Sequence, residues 1–256
     1  MQTWRFIQDG PQDGAWNMAV DRAVLASHVA GETPPTLRVY WWRVPTVTLG
    51  RFQSVNDVDL MYCTMRGFDV VRRPTGGRGV LHDDEVTYSV VAGTADGLPR
   101  GVSASYKLLC GALATAYRSL GVPAALTARA KGDKGAGACY LHATPADLSL
   151  GAAKLSGSAQ VWEHESVLQH GSFVRSRDVD AEASVFRLGE GGSGRLRAGT
   201  ATLTDALGVA PGRESVIAAV RDAFESALGI RLEDGPLTDA ERRSAEASVD
   251  GFRLVS

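Results

Sequence analysis

Of the three thiols in this 256-residue chain, only Cys139 is presented by a glycine-rich stretch. It follows Gly135-Ala136-Gly137-Ala138, where little side-chain bulk can cover it. Lys154 comes fifteen positions later, across what reads as a tight β-hairpin. A sulfur nucleophile works as its thiolate, and a nearby cation stabilises that form. A lysine ammonium brought close by the fold can do so, and can also donate a hydrogen bond to a developing oxyanion. The pair could therefore attack a carbonyl and hold the charge that results. From spacing alone, the simpler reading is a loop cysteine without a task and a solvated lysine. Cys63 stands beside Met61 and Met65, and Cys110 stands among Leu108, Leu109, Ala112 and Leu113. Both read as packing thiols, which apolar surroundings make inert.

A second stretch with chemical potential runs from Arg72 to Asp84, RRPTGGRGVLHDD. Before it stands Phe68-Asp69-Val70-Val71, and after it Val86-Thr87-Tyr88-Ser89-Val90-Val91. Both are rich in β-branched or aromatic residues and read as strands. Pro74 and the Gly76-Gly77 pair cannot continue a central strand, so a loop separates the two. Glycines there let backbone N–H groups approach a ligand. Arg72, Arg73 and Arg78 add planar charged donors suited to a carboxylate or phosphate. A plain turn with solvated arginines is the alternative. The Gly-Lys-Ser/Thr ending of a Walker A loop is missing, and so is a GxGxxG opening a helix.

Metal chemistry finds little support. The cysteines at 63, 110 and 139 form no CxxC, and His142, His164 and Asp147 lack ligand spacing, so no metal is expected. His82 and His170 are isolated histidines of the kind that usually serve as hydrogen-bonded structure. Asn17 and Asp21 lie one turn apart on the first helix, read as a polar helix face, and receive no role.

RRPTGGRGVLHDDEVTYSV resembles the signature of the lipoate–protein ligase and octanoyltransferase superfamily, which includes the biotin protein ligases. Arg78, where many ligases carry a third glycine, is closer to octanoyltransferases of the LipM type. Ala138-Cys139-Tyr140 is similar to the segment carrying their acyl-accepting cysteine. Lys154-Leu155-Ser156-Gly157-Ser158-Ala159-Gln160 is similar to the superfamily's lysine motif, and the order of cysteine before lysine matches as well. The resemblance runs from Gly14 to Glu241. Gly50-Arg51-Phe52-Gln53 resembles a segment that lies beside the bound acyl group. The resemblance implies Cys139 and Lys154 as catalytic residues. It implies substrate binding by Arg72, Arg73, Gly76, Gly77, Arg78, Gly79, His82, Gly157 and Ser158, with His82 in a supporting role. It also implies octanoyl transfer from an acyl carrier protein to a lysine of a lipoyl domain, such as the glycine cleavage H protein, without a cofactor. An ATP- and magnesium-dependent ligase, an amidotransferase between lipoyl domains and a non-catalytic acyl binder stay open as alternatives.

These residues need a scaffold. The pattern predicts strands at Trp4–Asp9 (ended by Gly10-Pro11), Leu37–Trp42 and Thr46–Gly50, a hairpin of Asp147–Leu150 with Lys154–Trp162, and a strand at Val167–Val174. Helices are predicted from Gly14 to Ala30 behind Asp13, Val58 to Arg66 and Ser103 to Leu120. Helices are also expected at Leu203–Leu207, Arg213–Leu228 and Thr238–Ala247, with Gly189–Gly194 as a flexible link. The fold class expected is α/β (α+β), with mixed β-sheets flanked by helices. It comprises a ligase-like catalytic core over residues 1–180 and a helical C-terminal extension over 181–256, packed on the same domain. The apolar fraction of 44% and charged fraction of 22% are ordinary for a globular chain. A net charge of −2 gives no case for nucleic acid or anionic membrane. The start Met1–Phe6 lacks a signal-peptide pattern, and no apolar run reaches membrane-spanning length, so a cytoplasmic location with reduced thiols is expected. Arg129, Lys131 and Lys134 sit in a basic loop that could steer acidic partners.

Overall fold

Period-two alternation along four strands organises the molecule. On β1 (Gln2–Gln12), Trp4 and Phe6 point to one face and Arg5 and Ile7 to the other. On β2 (Thr36–Trp42), Leu37 and Val39 share the first face, and on the long strand Glu85–Gly93 it is Val86, Tyr88, Val90 and Ala92. Val167 and Phe173 do the same on the strand Ser166–Val174. This mostly apolar face, with Gln169 as a buried polar member bonded to Tyr88, carries the main core. The opposite face mixes apolar with polar residues: Arg38 and Tyr40, Glu85, Thr87 and Ser89, His170 and Ser172. The computed structural model describes residues 1–127, 131–132, 138–143 and 147–254.

The remaining strands, in chain order, are β3 (Thr46–Leu49), β4 (Asp69–Arg72), β5 (Val80–His82), β6 (the Glu85–Gly93 strand), β7 (Ala125–Leu126), β8 (Lys131–Gly132), β9 (His142–Ala143), β10 (Leu148–Leu150), β11 (Ala153–Ser156), β12 (Ser158–Glu163), β13 (the Ser166–Val174 strand) and β14 (Ile230–Asp234). The main sheet has the order β12-β13-β6-β2-β1-β14. Its β14-β1-β2 end is parallel and the rest antiparallel. A small sheet runs β4-β3-β5, another runs β11-β10-β7, and β8 pairs with β9.

The helices are α1 (Gly14–Val29), α2 (Leu60–Arg66), α3 (Val102–Ser119), α4 (Val179–Val185), α5 (Gly192–Gly199), α6 (Leu203–Leu207), α7 (Arg213–Leu228) and α8 (Asp239–Ser248). α3 and α7 cover the apolar face. α1 and α8 cover the other, where Arg5 forms a bidentate pair with Glu241 at 2.6 and 2.8 Å. Asp13 caps α1 by accepting from the Trp16 N–H at 2.8 Å, as its position predicts. No described helix is long and apolar enough to cross a membrane.

The expected mixed sheets flanked by helices are present, with local corrections. β1 runs through Gly10-Pro11 to Gln12 with a register shift, because β14 covers β1 only as far as Phe6. Past that point Pro11 has a partner on one side alone, so its missing N–H breaks no ladder. Gly101 precedes α3, rather than Ser103 capping it. Lys154 to Trp162 is not one strand. It breaks at Gly157, where β11 leaves the sheet it shares with β10 and the chain joins β13 as β12. The chain beyond residue 180 is not helical throughout, since β14 extends the main sheet. The glycine run at 189–194 leads into α5, with Gly191 at φ +73° preceding it. Of the basic loop, Arg129 and Lys134 lie outside the described residues, and only the backbone of Lys131 is placed.

Candidate active site

The polar half of the main sheet, α1 and the small β4-β3-β5 sheet enclose a cavity. Met18, Tyr40, Trp42 and Val80 supply apolar walls, and Cys139, Arg73, Gly77, His82, His170, Gly157 and Ser158 also line it. Six of the residues singled out in the sequence, Cys139, Arg73, Gly77, His82, Gly157 and Ser158, thus line one cavity, and His170, which received no role there, lines it too. Lys154, Arg72, Gly76, Arg78 and Gly79 are not among the residues lining it.

The glycine loop is built around its own arginines. β4 and β5 flank β3, so the loop must cross the end of β3. Arg73 holds that crossing. Its Nη2 donates to the carbonyls of Gly76 at 2.7 Å and Arg78 at 2.8 Å, and its Nη1 donates to that of Thr48 at 3.1 Å. Burial pushes this guanidinium down to about 10, against the pull of Cys139. Arg72 Nη1 donates to the carbonyls of Gly50 and Gln53, both at 2.8 Å, and so clamps the neighbouring segment against the loop. These two arginines shape the backbone instead of presenting free forks to a ligand. Two glycines answer to close approach. A Cβ on Gly50 would come within 1.9 Å of the Gly77 carbonyl oxygen, and one on Gly79 within 2.3 Å of the Phe186 ring. Phe52 is 87% exposed and does not line the cavity.

The loop's last residues hold the nucleophile candidate. Ala138 bridges Gly79 in parallel, and the Cys139 N–H donates to the Gly79 carbonyl at 2.8 Å. A 3-10 turn over Cys139–Leu141 then exposes the thiol partly. Tyr140 is buried beneath the Arg177 guanidinium, whose carbon lies 3.5 Å from the ring centroid, and Glu182 fixes that arginine at 3.1 Å. Cys63 and Cys110 are buried, and burial pushes their thiols up to about 11 and about 12.

Lys154 reaches the thiol as the hairpin predicts. Its Nζ stands 3.7 Å from Cys139 Sγ and donates to the Cys139 carbonyl at 3.2 Å. Gly157 gives it room, since a Cβ there would come within 2.8 Å of Nζ. The carboxylate of Asp147 lies 3.0 Å from Nζ, with both side chains 3% exposed. Tyr106 donates its hydroxyl to Asp147 at 2.7 Å and accepts from the Ser158 N–H at 3.0 Å. Burial works against the lysine's charge, but Cys139 and Asp147 outweigh it and hold the ammonium above its ordinary range. Sequence reasoning considers Asp147 only as a metal ligand, whereas here it is the lysine's counterion. A signal existed: Asp147 immediately precedes the first strand of the hairpin whose returning strand carries Lys154.

Across the cavity, Asp21 is buried and takes hydrogen bonds from Arg38 at 2.8 Å, Ser89 at 2.8 Å and Tyr40 at 3.1 Å. His170 Nδ1 lies 3.1 Å from Asp21 and its Nε2 lies 2.7 Å from Thr75 of the glycine loop. Burial holds His170 below its ordinary range despite Asp21. His82 sits between Glu85 at 2.7 Å and Thr48 at 2.9 Å and stacks on Trp42. Asn17 accepts from Arg38 at 2.8 Å. His164 is exposed in a turn, and the side chain of His142 lies outside what is described. No cluster of three or more His, Cys, Asp or Glu fit for a metal occurs among the described residues.

Comparison with known proteins points to one family. The octanoyltransferase LipM of Kyrpidia tusciae is 39% identical over 96% of this chain and 94% of its own length. That of Symbiobacterium thermophilum is 40% identical over the same shares. The crystal structure of a lipoate-protein ligase A bound with ATP superposes with a TM-score of 0.81 at 25% identity, covering 98% of this chain and 95% of the ligase. The model of the lipoyl protein ligase A/B catalytic domain matches residues 13–225, which takes in the glycine loop, the cysteine turn and the lysine hairpin alike, and the chain belongs to that family.

Proposed function

We propose that this chain is an octanoyltransferase of lipoate biosynthesis that carries the acyl group as a thioester on Cys139. The supporting observation is the approach of Lys154 Nζ to Cys139 Sγ, 3.7 Å, at the edge of a cavity with apolar walls. The likeness to LipM octanoyltransferases over nearly the whole chain supports the same reaction.

The donor is octanoyl-acyl carrier protein. The Cys139 thiolate attacks the thioester carbonyl, the carbon–sulfur bond to the carrier breaks, and the carrier leaves as a thiol after taking a proton. Lys154 stabilises the thiolate beforehand and donates to the oxyanion during attack. The octanoyl chain lies against Met18, Tyr40, Trp42 and Val80. Arg73, Gly77, His82, Gly157 and Ser158 shape the rest of the pocket. The acceptor is a lysine of a lipoyl domain, with the glycine cleavage H protein as the proposed partner. Its neutral amine attacks acyl-Cys139, the carbon–sulfur bond breaks as the amide forms, the Cys139 thiolate returns and the surplus proton on nitrogen passes to solvent. A thioester is already activated relative to an amide, so neither ATP nor magnesium is required. The proposed compartment is the cytoplasm, where the thiol stays reduced.

The test is incubation with octanoyl-carrier alone, read by intact mass. A covalent octanoyl adduct that hydroxylamine removes is expected at Cys139, and addition of H protein should discharge it without ATP. An acyl-adenylate made from free octanoate and ATP, with no covalent adduct, would replace this reading with a ligase.

A further inference from the structure

Lys154 creates a hazard for the intermediate just described. Its nitrogen is 3.7 Å from the sulfur that would carry the acyl group. A thioester carbonyl on that sulfur falls within reach of Nζ, close to the separation of about 3–3.5 Å from which bonds form. Lys154 is also a primary amine, the same functional group as the acceptor that discharges the thioester. A neutral Nζ would attack the carbonyl with its lone pair. The carbon–nitrogen bond would form, the carbon–sulfur bond would break, Cys139 would leave as thiolate, and the surplus proton on nitrogen would pass to solvent. The product is an amide on Lys154 and a dead enzyme. An ammonium has no lone pair and cannot do this, yet it can still donate to an oxyanion.

Two groups favour the ammonium, Asp147 at 3.0 Å and the Cys139 thiolate. Acylation removes the thiolate charge. During the lifetime of the intermediate Asp147 is therefore the remaining anion among these two, at the moment when the amine must stay protonated. Among the described residues, this pair also faces the Tyr140 ring at 5.7 Å from Nζ and Tyr106 behind Asp147, and Arg73 acts on the thiol. None of them supplies a negative charge at neutral pH. Tyr106 orients Asp147 with a 2.7 Å hydrogen bond and is itself fixed by the backbone of Ser158.

We propose that Asp147 is a positioning residue that prevents self-acylation, keeping Lys154 an oxyanion donor and barring it from acting as an acyl acceptor. The proposal rests on the acyl-Cys139 reading. It is tested by loading wild type and Asp147→Asn with octanoyl-carrier in the absence of acceptor, treating each with hydroxylamine, and mapping the adducts by mass. Wild type should lose its adduct completely. Asp147→Asn should accumulate an adduct that survives hydroxylamine and maps to Lys154. Its share should rise with pH from a minor to the major fraction, and adding Lys154→Arg to the variant should abolish it. A merely structural role for Asp147 would lower loading without making any resistant adduct, and an adduct labile at every pH in Asp147→Asn overturns the proposal. If that variant does not fold, wild type titrated between about pH 7 and pH 10, alongside Tyr106→Phe, gives the same readout. The resistant adduct should then appear at the alkaline end, earlier in Tyr106→Phe, and its absence from both is the overturning result. If wild type takes no adduct at all, the acyl-cysteine reading fails first and the guard falls with it.

Discussion

The two walls of the cavity use similar charged residues in different ways. The sheet-and-helix wall holds Asp21, Arg38, His170, His82 and Glu85 on α1, β2, β5, β6 and β13. Each is buried, and each is bonded to at least two neighbours. The facing wall holds Cys139, Lys154 and Asp147 on a 3-10 turn, a four-residue strand and the residue before a three-residue strand. Charge on the first wall is locked into the fold. On the second, a carboxylate and a lysine are locked together, and a partly exposed thiol faces them. Long strands supply a rigid frame, and reactive groups sit where the chain leaves it. If this contrast is right, changes on the thiol wall cost rate and changes on the other wall cost stability.

The largest effect should come from Cys139→Ala, with octanoyl transfer falling to the uncatalysed background while the protein stays folded. Cys63→Ala and Cys110→Ala should keep activity, because both thiols are packed in the core and inert. Transfer assays on the three variants decide this, and full activity in Cys139→Ala would break the contrast at its centre. Next comes Lys154→Arg. The guanidinium keeps the charge, but its plane does not fit the space that Gly157 leaves beside Nζ. A loss on the order of 10²–10³ in kcat/KM is expected, the usual consequence of losing one oxyanion donor. A variant within a few-fold of wild type would demote Lys154 to scaffolding.

The third prediction crosses to the other wall. Asp21→Asn leaves the buried Arg38 guanidinium with Asp9, which is 23% exposed, as its carboxylate partner. Breaking such a buried pair costs about 3–5 kcal/mol, and the lower end is expected here because Asp9 remains. Denaturant unfolding should show that loss, with activity per folded molecule little changed. The reverse pattern, a stable but inactive variant, would move Asp21 into the chemistry.

How much of this was legible in the sequence follows from what kind of contact built each part. α1, α3 and α7, and the strands β2, β6 and β13, show in local periodicity, since one buried stripe or face suffices to form them. β14 does not. Five residues with the pattern Ile-Arg-Leu-Glu-Asp become a strand because the exposed edge of β1 accepts them, which is a tertiary cause. The pairing of Cys139 with Lys154 is a hairpin inference supported by family likeness, and the structure brings the two together. Asp21 and His170, which are 149 residues apart, meet only after β13 has paired with β6 and α1 has covered that face. Arg72 and Arg73 misled for the opposite reason. Arginines beside glycines advertise an anion site, yet the glycine loop's own carbonyls used those donors first.

The last prediction is a pH dependence and concerns Glu85. Burial opposes its charge, but His82, Ser172 and Thr87 all favour the carboxylate and hold it down to about 2, against an ordinary 4.5. A carboxyl group held low in the folded state adds stability that is fully present above its unfolded value. That contribution fades as pH falls from about 4.5 toward 2. Over this window the wild type should lose on the order of 3 kcal/mol through this residue. Glu85→Gln should be less stable at neutral pH, and its stability should vary less steeply with acid by the same amount. Unfolding curves collected across the window for both proteins provide the difference. Coincident slopes would mean that folding does not shift the Glu85 carboxyl. The ordered bonds from Trp42, Thr87, Ser172 and His82 that define this wall would then need another explanation.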